Sequence, residues 1–294
     1  MLDTHVLTSN SNVRIRRFNQ DSPEKVLMLH GLGGTGLNWK HLVNIFDQSF
    51  DILTPDLPGF GLSTPMNLQN YKPKDFAANL AEVVINQFGN KPVHLFGNSH
   101  GGSVAVHFAY MFPELTKSLT LISPALPDLI PQFSAYPVML SAIPGFGEKL
   151  LEKYQELKPE ERALNTIKQC FEDQKLGEKI WKADLLQEMH DRIGQDYINK
   201  TTLNTLRNLL LTYFDQSKNN PWQMAKNIKV PSLFIYGSKD KLVHPRAAHK
   251  VSKFFVDSKV LVLPRVGHVA HIERPHAVRD FFYKHHFSNL VSAE

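Results

Sequence analysis

The pentapeptide Gly97-Asn98-Ser99-His100-Gly101 constrains this chain more than any other feature. It follows the apolar run Pro92-Val93-His94-Leu95-Phe96 directly and precedes a helix-like run, so it reads as strand, tight turn, helix. Glycines on both sides of the turn let the strand and the helix approach more closely than residues with a Cβ allow. A serine on such a turn has its hydroxyl lifted out of the sheet. The N–H of His100 then points to the place where negative charge develops on an attacked carbonyl. The arrangement predicts a nucleophilic Ser99.

A serine hydroxyl keeps its proton near neutral pH, so a nucleophilic Ser99 requires a base. The chain holds fourteen histidines. His107, His190, His249, His285 and His286 lie on helix-like stretches and read as surface or packing residues. His268 follows the strand-like run Lys259-Val-Leu-Val-Leu-Pro264 and the turn Arg265-Val266-Gly267, and precedes a helix starting near Pro275. That late loop position predicts His268 as the base, with His271 as its competitor. The orienting carboxylate is expected between serine and histidine in chain order. Asp240 fits, on the turn Gly237-Ser238-Lys239-Asp240 after the apolar strand Ser232-Leu-Phe-Ile-Tyr236. Asp128, beyond the strand Ser118-Leu-Thr-Leu-Ile-Ser123, is the reserve candidate.

A second oxyanion donor is expected from His30-Gly31-Leu32-Gly33-Gly34, which follows the strand Lys25-Val-Leu-Met-Leu29. Glycines let this loop pass close to a substrate carbonyl, so Leu32 N–H and His100 N–H are the predicted pair. His30 is expected to fix the loop by hydrogen bonding. With Gly33, Asn98, Met139, Val243 and Val269 it is also expected to border a substrate pocket. No G-x-x-x-x-G-K-[ST] motif occurs here, and the loop is not read as a phosphate cradle.

Taken in order, His30-Gly-Leu-Gly-Gly34, Asp56-Leu-Pro-Gly-Phe-Gly-Leu-Ser63, Gly97-Asn-Ser-His-Gly-Gly102, Gly237-Ser-Lys-Asp240 and Gly267-His268 resemble the α/β-hydrolase superfamily over nearly the whole chain. The resemblance implies an α/β fold with a mostly parallel eight-stranded sheet, helices on both faces, and a helical cap inserted after the sixth strand. The stretch Asn98-Ser99-His100-Gly101-Gly102 is also similar to the elbow of hydrolases that cleave carbon–carbon bonds in ring-fission products. Those relatives carry Met where His100 stands and an aromatic residue soon after the histidine, where this chain has Val269-Ala270-His271.

The residues divide accordingly. A hairpin over Thr4–Thr8 and Val13–Phe18 is followed by strands at Lys25–Leu29, Asp51–Pro55, Val93–Phe96, Ser118–Ile122, Ser232–Tyr236 and Lys259–Leu263. Helices are expected at Asn38–Phe46, Lys74–Phe88, Ser103–Met111, Pro245–Phe255 and His276–His286, the alternation of parallel βαβ units. It breaks between Pro124 and Pro221. Pro124, Pro127, Pro131, Pro137 and Pro144 prevent one long helix there, and charged helical stretches follow. Residues 124–221 are therefore expected to form the cap, and residues 1–123 and 222–294 the core. Ser217–Asn220 and Pro221 read as the exit linker. The apolar stretch Tyr136–Phe146 is read equally as acyl-pocket wall and as packing face.

Composition limits the remaining choices. Of the 294 residues, 42% are hydrophobic, enough for a large core. The net charge of +5 is spread along the chain without a basic, aromatic-interleaved run, so no nucleic-acid partner is expected. Neither C-x-x-C nor H-E-x-x-H occurs, and no metal or cofactor is expected. The single cysteine, Cys170, reads as a packing residue on a helix with Leu164, Ile167 and Phe171 on one face. The first residues lack a basic segment followed by an apolar core, and no run approaches the ~18 apolar residues of a membrane span. A cytoplasmic location without integral membrane association is expected. The predicted substrate is a small-molecule carboxylic ester. The alternatives are a vinylogous diketone acid cleaved at a carbon–carbon bond, with Arg162, Arg192 or Arg207 as carboxylate anchors, and a non-catalytic ligand-binding member of the fold.

Overall fold

Strand burial explains the sheet. In the computed structural model, which describes residues 1–67, 69, 71–128 and 132–287, the strands rich in Val, Leu, Ile and Phe are buried on both faces. They are β3 (Glu24–Leu29), β4 (Phe50–Pro55), β5 (Val93–Asn98), β6 (Thr116–Ile122) and β7 (Ser232–Gly237). Continuous apolar runs of this kind suit a parallel sheet covered by helices on both sides. At the ends lie β1 (Leu2–Leu7), which with β2 (Asn12–Phe18) forms an antiparallel hairpin, and β8 (Ser258–Leu263). Exposed residues recur along β1 and β8, as an edge requires. The order is β1-β2-β4-β3-β5-β6-β7-β8. Pairings from β4 to β8 are parallel, and β1–β2 and β2–β4 are antiparallel.

The order decides where a ligand fits. From β3 the chain moves outward to β4, then returns to place β5 on the other side of β3. The loops leaving β3 and β5 therefore run in opposite directions and open a crevice at the carboxyl ends of the strands. Gly31–Gly34 and Ser99 leave the sheet at that crevice.

Two apolar layers cover the sheet. One packs helices Pro73–Phe88, His100–Met111 and Ala248–Phe254 through Phe76, Leu80, Val104, Phe108 and Val251. The other packs Trp39, Leu42 and Phe46 with Val278 and Phe282 of helix Pro275–His286. Between β6 and β7 the described residues form helices at Tyr136–Leu140, Phe146–Glu156, Pro159–Cys170, Gln174–Ile180, Lys182–Asp191 and Tyr197–Phe214. Pro131 lies outside the described residues.

Several boundaries differ from the sequence expectation for identifiable reasons. The helix after Ser99 begins at His100 instead of Ser103, since the elbow delivers the chain directly into helical geometry. The expected helix Asn38–Phe46 is a 3₁₀ turn, Gly36–Trp39, capped by Thr35, followed by one α-helical turn, Lys40–Val43. Pro245–Ala247 is likewise a 3₁₀ turn before helix Ala248–Phe254. Pro221 is not simply linker. It opens the short helix Pro221–Ala225, capped by the Asn220 side chain, and Trp222 joins the core. Leu164 does not share the buried face of its helix. Ala163, Ile167 and Phe171 recur at four-residue spacing and are buried, whereas Leu164 stands a helical step aside at 36% exposure.

Candidate active site

Ser99 occupies a backbone conformation that serine rarely adopts, with φ 53° and ψ −118°. The strain, of order 1–3 kcal/mol, is held by four main-chain bonds. Ser99 N–H donates to the Ile122 carbonyl at 3.1 Å, and the Ser99 carbonyl accepts from Gly102, Ser103 and Ala125 at 3.0, 3.2 and 2.9 Å. Space at the turn is equally tight. A Cβ on Gly101 would stand 2.2 Å from the Leu29 carbonyl oxygen, so the first turn of the helix lies directly against the end of β3. Gly31 packs against the Ser99 side chain itself.

The other two predicted residues meet at the carboxyl ends of β7 and β8. Lys239 N–H donates to the Val266 carbonyl at 2.9 Å, so the loop after β7 and the loop after β8 run side by side. Across them His268 Nδ1 stands 2.9 Å from Asp240 Oδ2, with both side chains buried. The second oxygen, Asp240 Oδ1, accepts from Leu242 N–H at 2.8 Å and Val243 N–H at 3.0 Å. Burial alone would raise this carboxyl. The neighbouring His268 ring and the Val243 N–H outweigh it and keep the group below its ordinary range. An ionised Asp240 favours the His268 tautomer with its proton on Nδ1, leaving Nε2 as acceptor. The elbow is tied to this loop by Asn98, whose Nδ2 donates to the carbonyls of Ile122 at 3.0 Å and His268 at 3.2 Å.

Ser99 and His268 face one cavity of about 810 Å³. The loops Gly31–Gly34 and Leu242–His244 form its floor, and Leu151, Tyr154, Leu185, Met189, Leu203 and Leu206 of the helices between β6 and β7 line its other side. A mostly apolar chamber of this size with a few convergent polar groups suits a small-molecule ligand.

A match to the alpha/beta hydrolase fold family spans residues 25–275. The chain belongs to that family. Lipase 1 of Psychrobacter immobilis is 22% identical over 280 residues, covering 92% of this chain and 77% of the relative. A 2-hydroxy-6-oxo-6-phenylhexa-2,4-dienoate hydrolase of Burkholderia cepacia is 26% identical over 274 residues, covering 91% and 89%. Among solved structures, the meta-cleavage product hydrolase of Pseudomonas fluorescens superposes with a TM-score of 0.74 at 17% identity, covering 96% of this chain and 98% of that one. A thermophilic esterase from Thermogutta terrifontis gives 0.71 at 18% identity, covering 97% and 100%. These likenesses establish the α/β-hydrolase fold.

Within that α/β-hydrolase frame the remaining candidates separate. Asp128 pairs with Arg246 and Lys250, both at 3.2 Å, while the acid at His268 is Asp240. His271 is buried against Trp39, ring centroids 4.3 Å apart, and burial pushes its pKa down to about 3. His30 lies behind the Gly31–Gly34 loop and does not line the cavity. Its Nε2 accepts from Leu57 N–H at 2.8 Å, its Nδ1 lies 2.7 Å from the Gly31 carbonyl, and burial lowers its pKa to about 4. A neutral ring donating from Nδ1 satisfies both contacts and fixes the loop's start. Leu32 N–H makes no main-chain hydrogen bond among the described residues, and His100 N–H, first in its helix, has no intrahelical acceptor. The His100 ring itself is buried edge-on against Phe76.

Gly33, Asn98, Met139, Val243 and Val269 all border the cavity. Asn98 serves chiefly as the tie described above. The stretch Tyr136–Phe146 divides its roles: Val138, Met139 and Ser141 face the cavity, whereas Tyr136, Leu140, Ile143 and Phe146 are exposed. Arg162 and Arg192 reach the cavity, each with a buried Nε lacking a partner among the described residues. Arg207 is instead engaged by Glu148 and the Ala142 carbonyl. Cys170 packs against the apolar cluster that includes Val269 and Ile272, and burial pushes its thiol up to about 12, which leaves it protonated.

Sequence reasoning missed two buried carboxylates. Glu188, on helix Lys182–Asp191, accepts from Thr35 Oγ1 and from Asn38 Nδ2 at 3.2 Å, beside Arg192 at 3.6 Å. Glu273 accepts the Gly267 N–H of the His268 loop and the N–H groups of Glu172 and Asp173 in the inserted segment. Glu188 sits in a charged helical stretch and Glu273 at the end of the short turn after His268, and no local signal distinguishes either. Among the described residues, no helix is long and apolar enough to cross a membrane.

Proposed function

We propose that this protein is a serine hydrolase that cleaves carboxylic esters of small to medium apolar acids through an acyl-enzyme on Ser99. The observation that carries the reading is the 2.9 Å His268–Asp240 contact, buried beside a cavity that a strained Ser99 also faces. His268 Nε2 takes the Ser99 proton as Oγ attacks the ester carbonyl carbon. Leu32 and His100 N–H groups hold the oxyanion. The tetrahedral species collapses, the C–O bond breaks, and the alcohol leaves with the proton carried by His268. Water then attacks the acyl-enzyme, giving its proton to His268. Collapse returns the proton to Ser99 Oγ and frees the acid. The names of the lipase relatives accord with this chemistry.

Hydrolysis of p-nitrophenyl esters from acetate to laurate tests the proposal. Turnover that disappears in Ser99→Ala supports it, and the chain-length optimum sizes the acyl site. A folded wild-type protein inactive at every length overturns it.

One observation favours a second reading. Arg162 and Arg192 bring two guanidinium groups with unpartnered Nε atoms to the cavity wall, a setting suited to a substrate carboxylate. That would fit cleavage of a carbon–carbon bond in a vinylogous diketone acid, and the names of two relatives point the same way. Turnover of such an acid, followed by loss of its visible absorbance, with poor turnover of simple esters, supports this second reading.

A further inference from the structure

Glu273 lies where the His268 loop meets the helices between β6 and β7. It ends the short helix Ala270–Glu273 and is 4% exposed. Its Oε1 accepts Gly267 N–H at 2.6 Å, immediately before His268. Its Oε2 accepts Glu172 N–H at 3.2 Å and Asp173 N–H at 3.3 Å, just beyond helix Pro159–Cys170. One carboxylate thus joins two segments distant in sequence, and among the described residues no ion pair engages it.

Further contacts cross the same junction. His268 N–H donates to the Cys170 carbonyl at 2.7 Å. Gly267 lies so close to that carbonyl that a Cβ would stand 2.3 Å from it. Val269 and Ile272 complete an apolar cluster with Ile167, Phe171, Trp181 and Leu185 of the inserted helices. The loop that carries the base therefore packs on the insertion as well as on the sheet.

We propose that Glu273 is a positioning residue that locks the His268 loop to the inserted helices, so that the base is aligned only while those helices are seated over the cavity. The proposal rests on the reading of His268 as general base. Its physical basis is the bridging geometry. Displacing the insertion either breaks the Oε2 bonds or pulls Gly267, and His268 with it. Misplacement of a reacting group by about 1 Å costs on the order of a hundredfold in rate. Glutamine at this position keeps one oxygen acceptor but turns an NH2 group toward an N–H donor, so it satisfies one side of the bridge only.

The test compares wild type, Glu273→Gln and Glu273→Ala by p-nitrophenyl ester kinetics, melting temperature and hydrogen–deuterium exchange. In the Gln variant kcat is expected to fall about tenfold and in the Ala variant about a hundredfold, with KM within about twofold. Amide exchange rises in both the base loop, residues 264–272, and the turn at residues 168–176, while the elbow around Ser99 stays protected. Unchanged kcat in folded variants overturns the proposal. So does a loss of kcat without faster exchange in both segments. If the Ala variant does not fold, the Gln variant carries both readouts. Wild-type protein that cleaves no ester counts against the ester reading alone; exchange then decides the coupling, and faster exchange in one segment only overturns it.

Discussion

Asn98 holds His268 by its main chain: the amide Nδ2 donates to the His268 carbonyl at 3.2 Å while also donating to Ile122 at 3.0 Å. The residue before Ser99 thereby fixes the loop that carries His268. Asn98→Ala is expected to lower kcat about ten- to a hundredfold with KM little changed, since the cavity survives and alignment does not. Asn98→Asp should be worse, because it turns a carboxylate toward two carbonyl oxygens. Steady-state ester kinetics on both variants check this ordering.

The proposed triad acts as a unit. Ser99→Ala and His268→Ala are each expected to lower kcat by about four or more orders of magnitude, and the double variant by little more than either. Additive losses in the double variant would contradict a shared proton-transfer step. Asp240→Asn should cost somewhat less, because ring orientation is lost while His268 remains.

Gly101 provides a test of packing against propensity. In an ordinary helix, Gly→Ala gains about 0.8–1 kcal/mol. Here the new Cβ would meet the Leu29 and His30 carbonyl oxygens at 2.2 and 2.5 Å. Gly101→Ala is therefore expected to destabilise by about 1–3 kcal/mol and to displace the elbow from the oxyanion loop. Thermal unfolding with parallel ester kinetics reads both effects.

Glu188 supplies a pH signature. Burial pushes its carboxyl up to about 7 from an ordinary value of 4.5. As pH rises between these values the unfolded chain loses the proton first, so folded-state stability from this group, complete below the lower value, is lost toward the upper one. Glu188→Gln removes the titration. Its stability relative to wild type should rise from about pH 5 to about pH 8 and then level off. A melting-temperature difference that is flat across that range would show that Glu188 does not titrate there.

Much of this site was legible in local sequence. Gly97 to Gly101 predicts strand, turn and helix because only that geometry uses both glycines, and the helix follows the elbow at once. Asp240 and His268 were found by chain order and by their places after strands β7 and β8, and they meet in space. Local pattern failed where two distant segments share a role. Leu164 is expected on one helical face with Ile167 and Phe171, yet Ala163 holds that buried position. His30 is expected both to fix its loop and to border the pocket; its ring does the first, bonding to Leu57 and Gly31, and does not line the cavity.

The sequence by itself determined the strand runs, the elbow and the identity of the candidate nucleophile, base and acid. Those follow from short-range rules: apolar runs seek burial, glycines permit close turns, and serine needs a proton acceptor. Only the tertiary structure decided that Glu188 grips Thr35 and Asn38 beside the Gly31–Gly34 loop, that Glu273 bridges the His268 loop to the inserted helices, and that Arg162 and Arg192 reach the cavity. A carboxylate or guanidinium on a polar helix looks the same whether it meets water or a buried N–H. The crossover connections that bring its partner from a hundred residues away make the difference.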